Sequence, residues 1–471
     1  MRFQKCRAAA AGCFSAFLLI SSISGLPGFL PGAGGSLTAS ASVQAAVPFS
    51  TSSVARTEGG GANGSGQDDK AYQAIREITS SADVPGGTRI TLNKYLASAD
   101  ARPAYSFVKQ DYGYRALSSD SERTLYEYID NAAYQVSNQS VSGYYPVGQI
   151  VLTAKLDQSR LQKVFLAYTN DHPEVFWLTN VFSYGYDGDS SILQLFSVLS
   201  ADGCREAVNA LNSKLQQVIQ SVPAGLSEFD REEALYDYLT KNCSYNDAAV
   251  EDTSIWQAFT AYGALMDGHV VCEGYSRAME LLSSYLGLHC TLIRGSSNGV
   301  GHMWNAVSIG ENWYHLDLTW CDGNQPIYNY FNVTDQVIRQ THKISPAYSS
   351  LTEQQLAAAN SQVNLFLPAC QSTAENYYVV KGIKITDLGN AGDSTVVQQL
   401  SADLAESDPT VAFYIDAGPK FTSVANGLVS ASPYKMKTYL QQACRQSGKS
   451  PENVSYVVDS ANHGLEICVT Y

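Results

Sequence analysis

Val300-Gly301-His302-Met303-Trp304-Asn305-Ala306-Val307-Ser308-Ile309, then Gly310-Glu311, then Asn312-Trp313-Tyr314-His315-Leu316-Asp317-Leu318-Thr319-Trp320 read as two strands joined by a turn. In the second strand Tyr314, Leu316, Leu318 and Trp320 fall on one face and His315, Asp317 and Thr319 on the other. That is the period of two expected of a strand buried on one side. A turn at Gly310-Glu311 makes the pair antiparallel. His302 and Asp317 then share a sheet face whenever paired residue numbers sum to an odd value, as direct or diagonal neighbours. Pairing Ile309 with Asn312 is one such register. A carboxylate beside an imidazole fixes its tautomer and stabilises the imidazolium, which leaves the other ring nitrogen to serve a thiol.

A thiol lies upstream. Cys272 opens a helical run in which Tyr275, Met279, Leu282 and Leu286 form one apolar face, and Gly287 supplies the stop. At a helix start a thiol feels unpaired backbone N–H groups and the positive end of the helix dipole, and both favour the thiolate. Taken alone, Cys272 is better read as a small buried hydrophobe. Together with His302 and Asp317 it completes a set of nucleophile, base and orienter for covalent catalysis.

Three blocks carry a resemblance: Val271-Cys272-Glu273-Gly274-Tyr275-Ser276, Gly301-His302-Met303-Trp304-Asn305 and Trp313-Tyr314-His315-Leu316-Asp317-Leu318-Thr319-Trp320. They closely resemble the catalytic blocks of the bacterial transglutaminase-like superfamily, which includes transglutaminases and peptidases with a papain-like Cys-His-Asp core. The resemblance extends to Asp237-Tyr238-Leu239, Cys243-Ser244-Tyr245-Asn246, Tyr262-Gly263-Ala264-Leu265 and Tyr330-Phe331-Asn332-Val333, and more faintly to Asp171-His172-Pro173-Glu174-Val175-Phe176-Trp177. It implies an α+β fold with a papain-like core, a helix bearing the cysteine packed on an antiparallel sheet bearing the histidine and aspartate. It also implies Cys272 as nucleophile, His302 as general base and acid, and Asp317 as orienter. An oxyanion hole would use the Cys272 backbone N–H and one side-chain donor, for which Trp256, Gln257 and Tyr262 are candidates. Trp304 and Trp320 are candidate walls of the cleft.

Two other motifs carry no chemistry. Gly295-Ser296-Ser297-Asn298-Gly299 matches a serine nucleophile elbow, but that needs a helix to follow, and Val300–Ile309 is extended. Asp187-Gly188-Asp189 lacks the later ligands and closing glutamate of a calcium loop. No Cys-x-x-Cys or zinc-spaced His/Cys cluster occurs, so neither metal nor cofactor is expected.

The rest of the chain frames this core. Of 471 residues, 45% are hydrophobic and 16% charged, which leaves ample material for packed domains. A net charge of −14 argues against a nucleic-acid footprint or a polybasic lipid contact. Arg2, Lys5 and Arg7 before an apolar run, with small residues to Ala45-Ala46, read as a secretory signal. Its removal would take the charge from −14 to −17. Gly25, Pro27, Pro31 and Gly32 interrupt the run too early for a membrane span. Eight cysteines remain beyond the signal, too few for a disulfide scaffold. The expected order is a signal over 1–46, a flexible linker over 47–70, an accessory region over 71–200, the catalytic core over 201–345, a connector over 346–375 and a small α/β unit over 376–471. The expected product is a secreted thiol enzyme, with cell-surface association as a further option. It would act on amide bonds of protein or peptide substrates, cell-wall peptides included. Hydrolysis is favoured because water needs no dedicated acceptor subsite. A protein-glutamine transglutaminase and an inactive surface-binding module are the alternatives.

Overall fold

The computed structural model describes residues 46–48, 87–90, 105–321, 327–352, 355, 363–389 and 393–471. Residues 1–45 of the expected signal and the Gly-rich stretch 59–66 lie outside them. Six strands form the first sheet: β1 (Ala46–Pro48), β2 (Gly87–Arg89), β3 (Gln135–Ser137), β4 (Tyr145–Leu152), β5 (Leu178–Asp187) and β6 (Ser190–Ser197). Their order is β1-β5-β6-β4-β3-β2. α1 (Tyr112–Arg115), α2 (Asp120–Ala133) and α3 (Gln158–Asp171) pack with one another beside this sheet. The sequence suggests a strand at Val175–Leu178, but the strand begins only at Leu178. Before it, Val175 N–H closes a turn on the His172 carbonyl at 3.0 Å. The Trp177 indole N–H is spent on the Ala133 carbonyl at 2.9 Å, so this apolar run anchors a turn.

Two long helices follow, α4 (Ala201–Ser221) and α5 (Glu228–Asn242). Ser227 caps α5 as its sequence suggests, its Oγ accepting the Asp230 N–H at 3.1 Å. The inward face of α5 carries Phe229, Glu232, Leu235, Tyr236 and Leu239; Tyr238, which the periodicity places inward, is half-buried. Glu232 is fully buried, and one of its oxygens accepts the Asn332 amide N–H at 2.7 Å. Burial pushes its carboxyl up to about 8 from an ordinary 4.5. The folded chain therefore holds a proton there that the unfolded chain releases. The group's contribution is most favourable below about pH 4.5 and erodes as the pH climbs toward 8. Glu232→Gln keeps an acceptor for Asn332 and removes the ionisation. It should stabilise the protein by about 1–3 kcal/mol near pH 7.5 and by much less near pH 5. Urea unfolding at the two pH values checks this, and a gain of equal size at both would contradict it.

Next come β7 (Ser244–Tyr245), α6 (Asp247–Glu251), α7 (Ala261–Met266) and β8 (His269–Val270), with β7 and β8 paired in parallel. The central sheet takes α8 (Cys272–Tyr285) across β9 (His289–Ser297) and β10 (Val300–Ile309). It is completed by β11 (Asn312–Leu316) and β12 (His342–Ile344), antiparallel in the order β11-β10-β9-β12. Asn298 at φ 52° and Gly299 at φ 81° make the two-residue turn between β9 and β10. The stretch that mimics a serine elbow is thus a hairpin. The second strand of the key pair is shorter than its alternation suggests: it ends at Leu316, and α9 (Leu318–Cys321) begins at once.

Beyond α10 (Asp335–Ile338), the C-terminal part holds α11 (Tyr377–Lys381), β13 (Ile383–Ile385), α12 (Asp393–Ala405), β14 (Thr410–Ile415), α13 (Phe421–Val429), α14 (Lys435–Ser447), β15 (Asn453–Asp459) and β16 (Gly464–Thr470). Its sheet runs β13-β14-β16-β15 and has an apolar cluster of its own. Tyr377 and Tyr378 instead belong to the main core, with Tyr377 stacked on Tyr328 at 3.5 Å between ring centres. The sequence suggests one extended run over Tyr378–Ile385. The Asn376 side chain overrides that by accepting the Tyr378 N–H at 3.2 Å and starting a short helix. No helix among the described residues is long and apolar enough to cross a membrane.

Candidate active site

The site is assembled where the hairpin ladder stops. β10 and β11 pair from Ile309–Asn312 to Asn305–Leu316, the odd-sum register that puts His302 and Asp317 on one face as diagonal neighbours. Asp317 leaves the ladder, and its backbone N–H goes to the Tyr330 carbonyl at 3.1 Å. One side-chain oxygen, Oδ1, accepts the Trp320 N–H at 3.2 Å, which turns the chain into α9. The other, Oδ2, lies 2.7 Å from His302 Nε2, with both side chains fully buried. Burial alone would push the Asp317 carboxyl up. The two imidazoles together outweigh it, His302 more than His342, and the carboxyl is held well below the usual carboxylate range.

His342 was not legible as a site residue. It stands 25 positions beyond Asp317 with no motif around it, and β12 brings it in by pairing with β9. Its Nε2 is 3.0 Å from the same Asp317 Oδ2. His302, Asp317 and His342 offer three ligand atoms within 4.8 Å of one another, and so do His315, Asp335 and Cys370. In both sets imidazole Nε2 atoms are already engaged on the carboxylate, at distances of 2.7 to 3.1 Å. These contacts describe hydrogen-bonded clusters.

Trp304 is fully buried against the site. Its ring stacks on His302 at 5.8 Å, and its indole N–H is donated to His315 Nδ1 at 3.0 Å. His315 Nε2 in turn faces Asp335 Oδ1 at 3.1 Å, and burial holds this imidazole below its ordinary pKa. Gly295, opposite His302 on β9, makes room for the indole: a Cβ there would sit 2.6 Å from the Trp304 ring and 2.4 Å from the Lys343 carbonyl. Trp320 packs over His342 with ring centres 5.0 Å apart.

Cys272 is the first residue of α8 and only 3% exposed. It shares a small apolar cluster with Val271, Ala258, Leu292 and Met303, the residue after His302. The helix is tied to β10 one turn further on, where Asn305 Nδ2 donates to the Ser276 carbonyl at 3.0 Å and Ser276 Oγ to the Cys272 carbonyl at 2.9 Å. These contacts set the first turn of α8 against the His302 end of β10. Of the candidate oxyanion donors, Gln257 directly precedes Ala258, whose carbonyl accepts the Val271 N–H at 3.0 Å, and the other two pack on an aromatic neighbour. Trp256 and Tyr262 stack on Phe176, at 6.3 and 4.5 Å between centres. Trp256 also lines a cavity of about 260 Å³ bounded by His172, Phe176, Phe259, Glu273 and Arg277. Glu273 and Arg277 close an ion pair at 2.8 Å in its wall.

The family model of the transglutaminase-like superfamily matches residues 216–318, a stretch that contains Cys272, His302 and Asp317. The chain carries a transglutaminase-like domain. Kyphoscoliosis peptidase of Mus musculus is 26% identical over 144 residues, which cover 28% of this chain and 21% of that protein. Its Homo sapiens counterpart is 27% identical over 109 residues, covering 21% and 16%. The matched stretch therefore spans about a fifth of these relatives. A crystal structure of a TGase matches 38% of this chain and 53% of its own, at 18% identity and a TM-score of 0.22. The core that bears the transglutaminase-like domain is α+β, with a helix packed on an antiparallel sheet, as its sequence leads one to expect.

Proposed function

We propose that the transglutaminase-like domain is a thiol enzyme that cleaves amide bonds in peptides. Cys272 is the nucleophile, His302 its base and then its acid, and Asp317 the group that orients the imidazole. The observation that carries this reading is the fully buried 2.7 Å contact between His302 Nε2 and Asp317, beside a helix that starts with a cysteine. With Nε2 held by the carboxylate, Nδ1 is the nitrogen that takes the thiol proton. The thiolate attacks the carbonyl, His302 returns the proton to the leaving amine, and a thioacyl-enzyme remains. Water on the thioester carbonyl then releases the acid and the thiol. Hydrolysis is favoured over amine transfer because water at about 55 M needs no ordered acceptor site. The relatives' name, peptidase, points the same way. Export is part of the proposal and rests on the N-terminal segment from Arg2 to Ala46.

Alkylation of the intact chain near pH 6.5 tests the nucleophile. Burial pushes the Cys204 thiol up to about 12 and Cys468 to about 11, and holds Cys290, Cys321 and Cys370 well above the ordinary thiol value. The half-buried Cys444 is raised as well. Protonated thiols react slowly, so iodoacetamide should label Cys272 first, and His302→Ala should slow that labelling by at least about tenfold. Faster labelling of Cys444, or equal slow labelling everywhere, would contradict the reading.

A further inference from the structure

We propose that His342 is a positioning residue of this site: its Nε2–H, donated to Asp317 Oδ2 at 3.0 Å, keeps that carboxylate ionised and aimed at His302. The proposal rests on the thiol–imidazole reading above and extends it to a residue outside the three blocks.

Register explains how the ring gets there. On β9, His342 is opposite Ser297 and His302 is opposite Gly295, so the two imidazoles are diagonal across one strand, with centres 5.3 Å apart. Asp317 arrives from the far side of β10 and meets both rings with one oxygen. The Trp320 N–H takes the other oxygen, so three N–H donors converge on one fully buried carboxylate. With fewer donors, a carboxylate at this depth would take up a proton or turn toward another partner. Either change would remove the negative charge that a His302 imidazolium needs.

The tautomer of His342 is arranged to match. Its Nδ1 lies 2.8 Å from Thr341 Oγ, and that hydroxyl lies 3.0 Å from the Tyr330 hydroxyl. Thr341 donating to Nδ1, rather than to the Ile338 carbonyl it also reaches at 3.5 Å, leaves the proton on Nε2, where Asp317 accepts it. Trp304, Trp320 and Tyr330 enclose the ring, with centres 5.1, 5.0 and 5.5 Å away. Burial holds the imidazole below its ordinary pKa, so His342 acts as a neutral donor and adds no competing positive charge. Among the described residues, the other titratable groups that act on the cluster include His315 on β11, Cys321 on α9 and Tyr330 on the segment after α9.

The test is the pH dependence of Cys272 alkylation by iodoacetamide in the full chain, compared among wild type, His302→Ala, His342→Phe, His342→Gln and Thr341→Val. Phenylalanine fills the space without a donor, while glutamine restores an N–H at similar reach. His342→Phe should move the rise of labelling upward by about one pH unit, which lowers the rate near pH 6 about tenfold, and leave the rate near pH 9 unchanged. His342→Gln should follow the wild-type curve. A merely structural role would not move the midpoint and be rescued by glutamine. If His342→Phe does not fold, Thr341→Val decides, since it keeps the ring and removes only the hydroxyl that sets its tautomer; its curve should move the same way. A curve moved by His302→Ala but by neither His342→Phe nor Thr341→Val overturns the positioning role alone. A curve moved by none of the variants overturns the thiol–imidazole reading and this proposal together.

Discussion

Cys272→Ala should abolish acyl transfer, lowering kcat/KM by about 10⁵-fold or more while the fold stays intact. The side chain is small and lies in an apolar cluster with Leu292 and Met303, so the truncation removes one sulfur atom and leaves the surrounding packing largely in place. The cost in stability should be no more than about 1 kcal/mol. Steady-state turnover of a peptide substrate and urea unfolding measure the two effects. Residual activity above about one per cent of wild type would mean that another group attacks the carbonyl, because without a nucleophile only binding and oxyanion stabilisation remain.

Asp317→Asn carries the second large effect and acts in two ways. Three N–H groups, from His302, His342 and Trp320, point at the carboxylate. An asparagine offers a single acceptor oxygen and brings an NH₂ group that donates in turn. At least one imidazole must flip its tautomer or lose its bond, and in a fully buried site that costs about 1–3 kcal/mol of stability. The imidazolium formed during acylation also loses its counter-charge. The expected fall in kcat/KM is about 10³- to 10⁴-fold, with a smaller change in KM. A loss below tenfold would show that Asp317 is structural only.

The parts of the site on adjacent strands were legible because strand geometry is local. The period of two in Tyr314–Trp320 and a tight turn are enough to put His302 and Asp317 on one face, and their contact follows. The exact end of β11 was not, since it depends on the Asp317 side chain capturing the Trp320 N–H, which alternation does not encode. Tyr378–Ile385 misled for a related reason. Its β-branched Val379 and Val380 favour a strand, but Asn376 and the stacking of Tyr377 on Tyr328 favour a helical turn, and tertiary contacts prevail over propensity. Val175–Leu178 is a short apolar run whose periodicity cannot separate a strand from a buried turn. His342 is the extreme case. Its place depends on β12 pairing with β9, His342 opposite Ser297, 45 positions apart in the chain, and no spacing rule announces such a contact.

The central claim is covalent chemistry at Cys272, and trapping the acyl-enzyme tests it most directly. The chain would be mixed with an activated peptide ester, quenched in acid within seconds, digested and mapped by mass. The expected result is one acyl adduct on the peptide that contains Cys272, removed by neutral hydroxylamine as a thioester should be, absent from Cys272→Ala and strongly reduced in His302→Ala. An adduct on another residue, or turnover with no adduct at Cys272 under any quench time, would contradict the account.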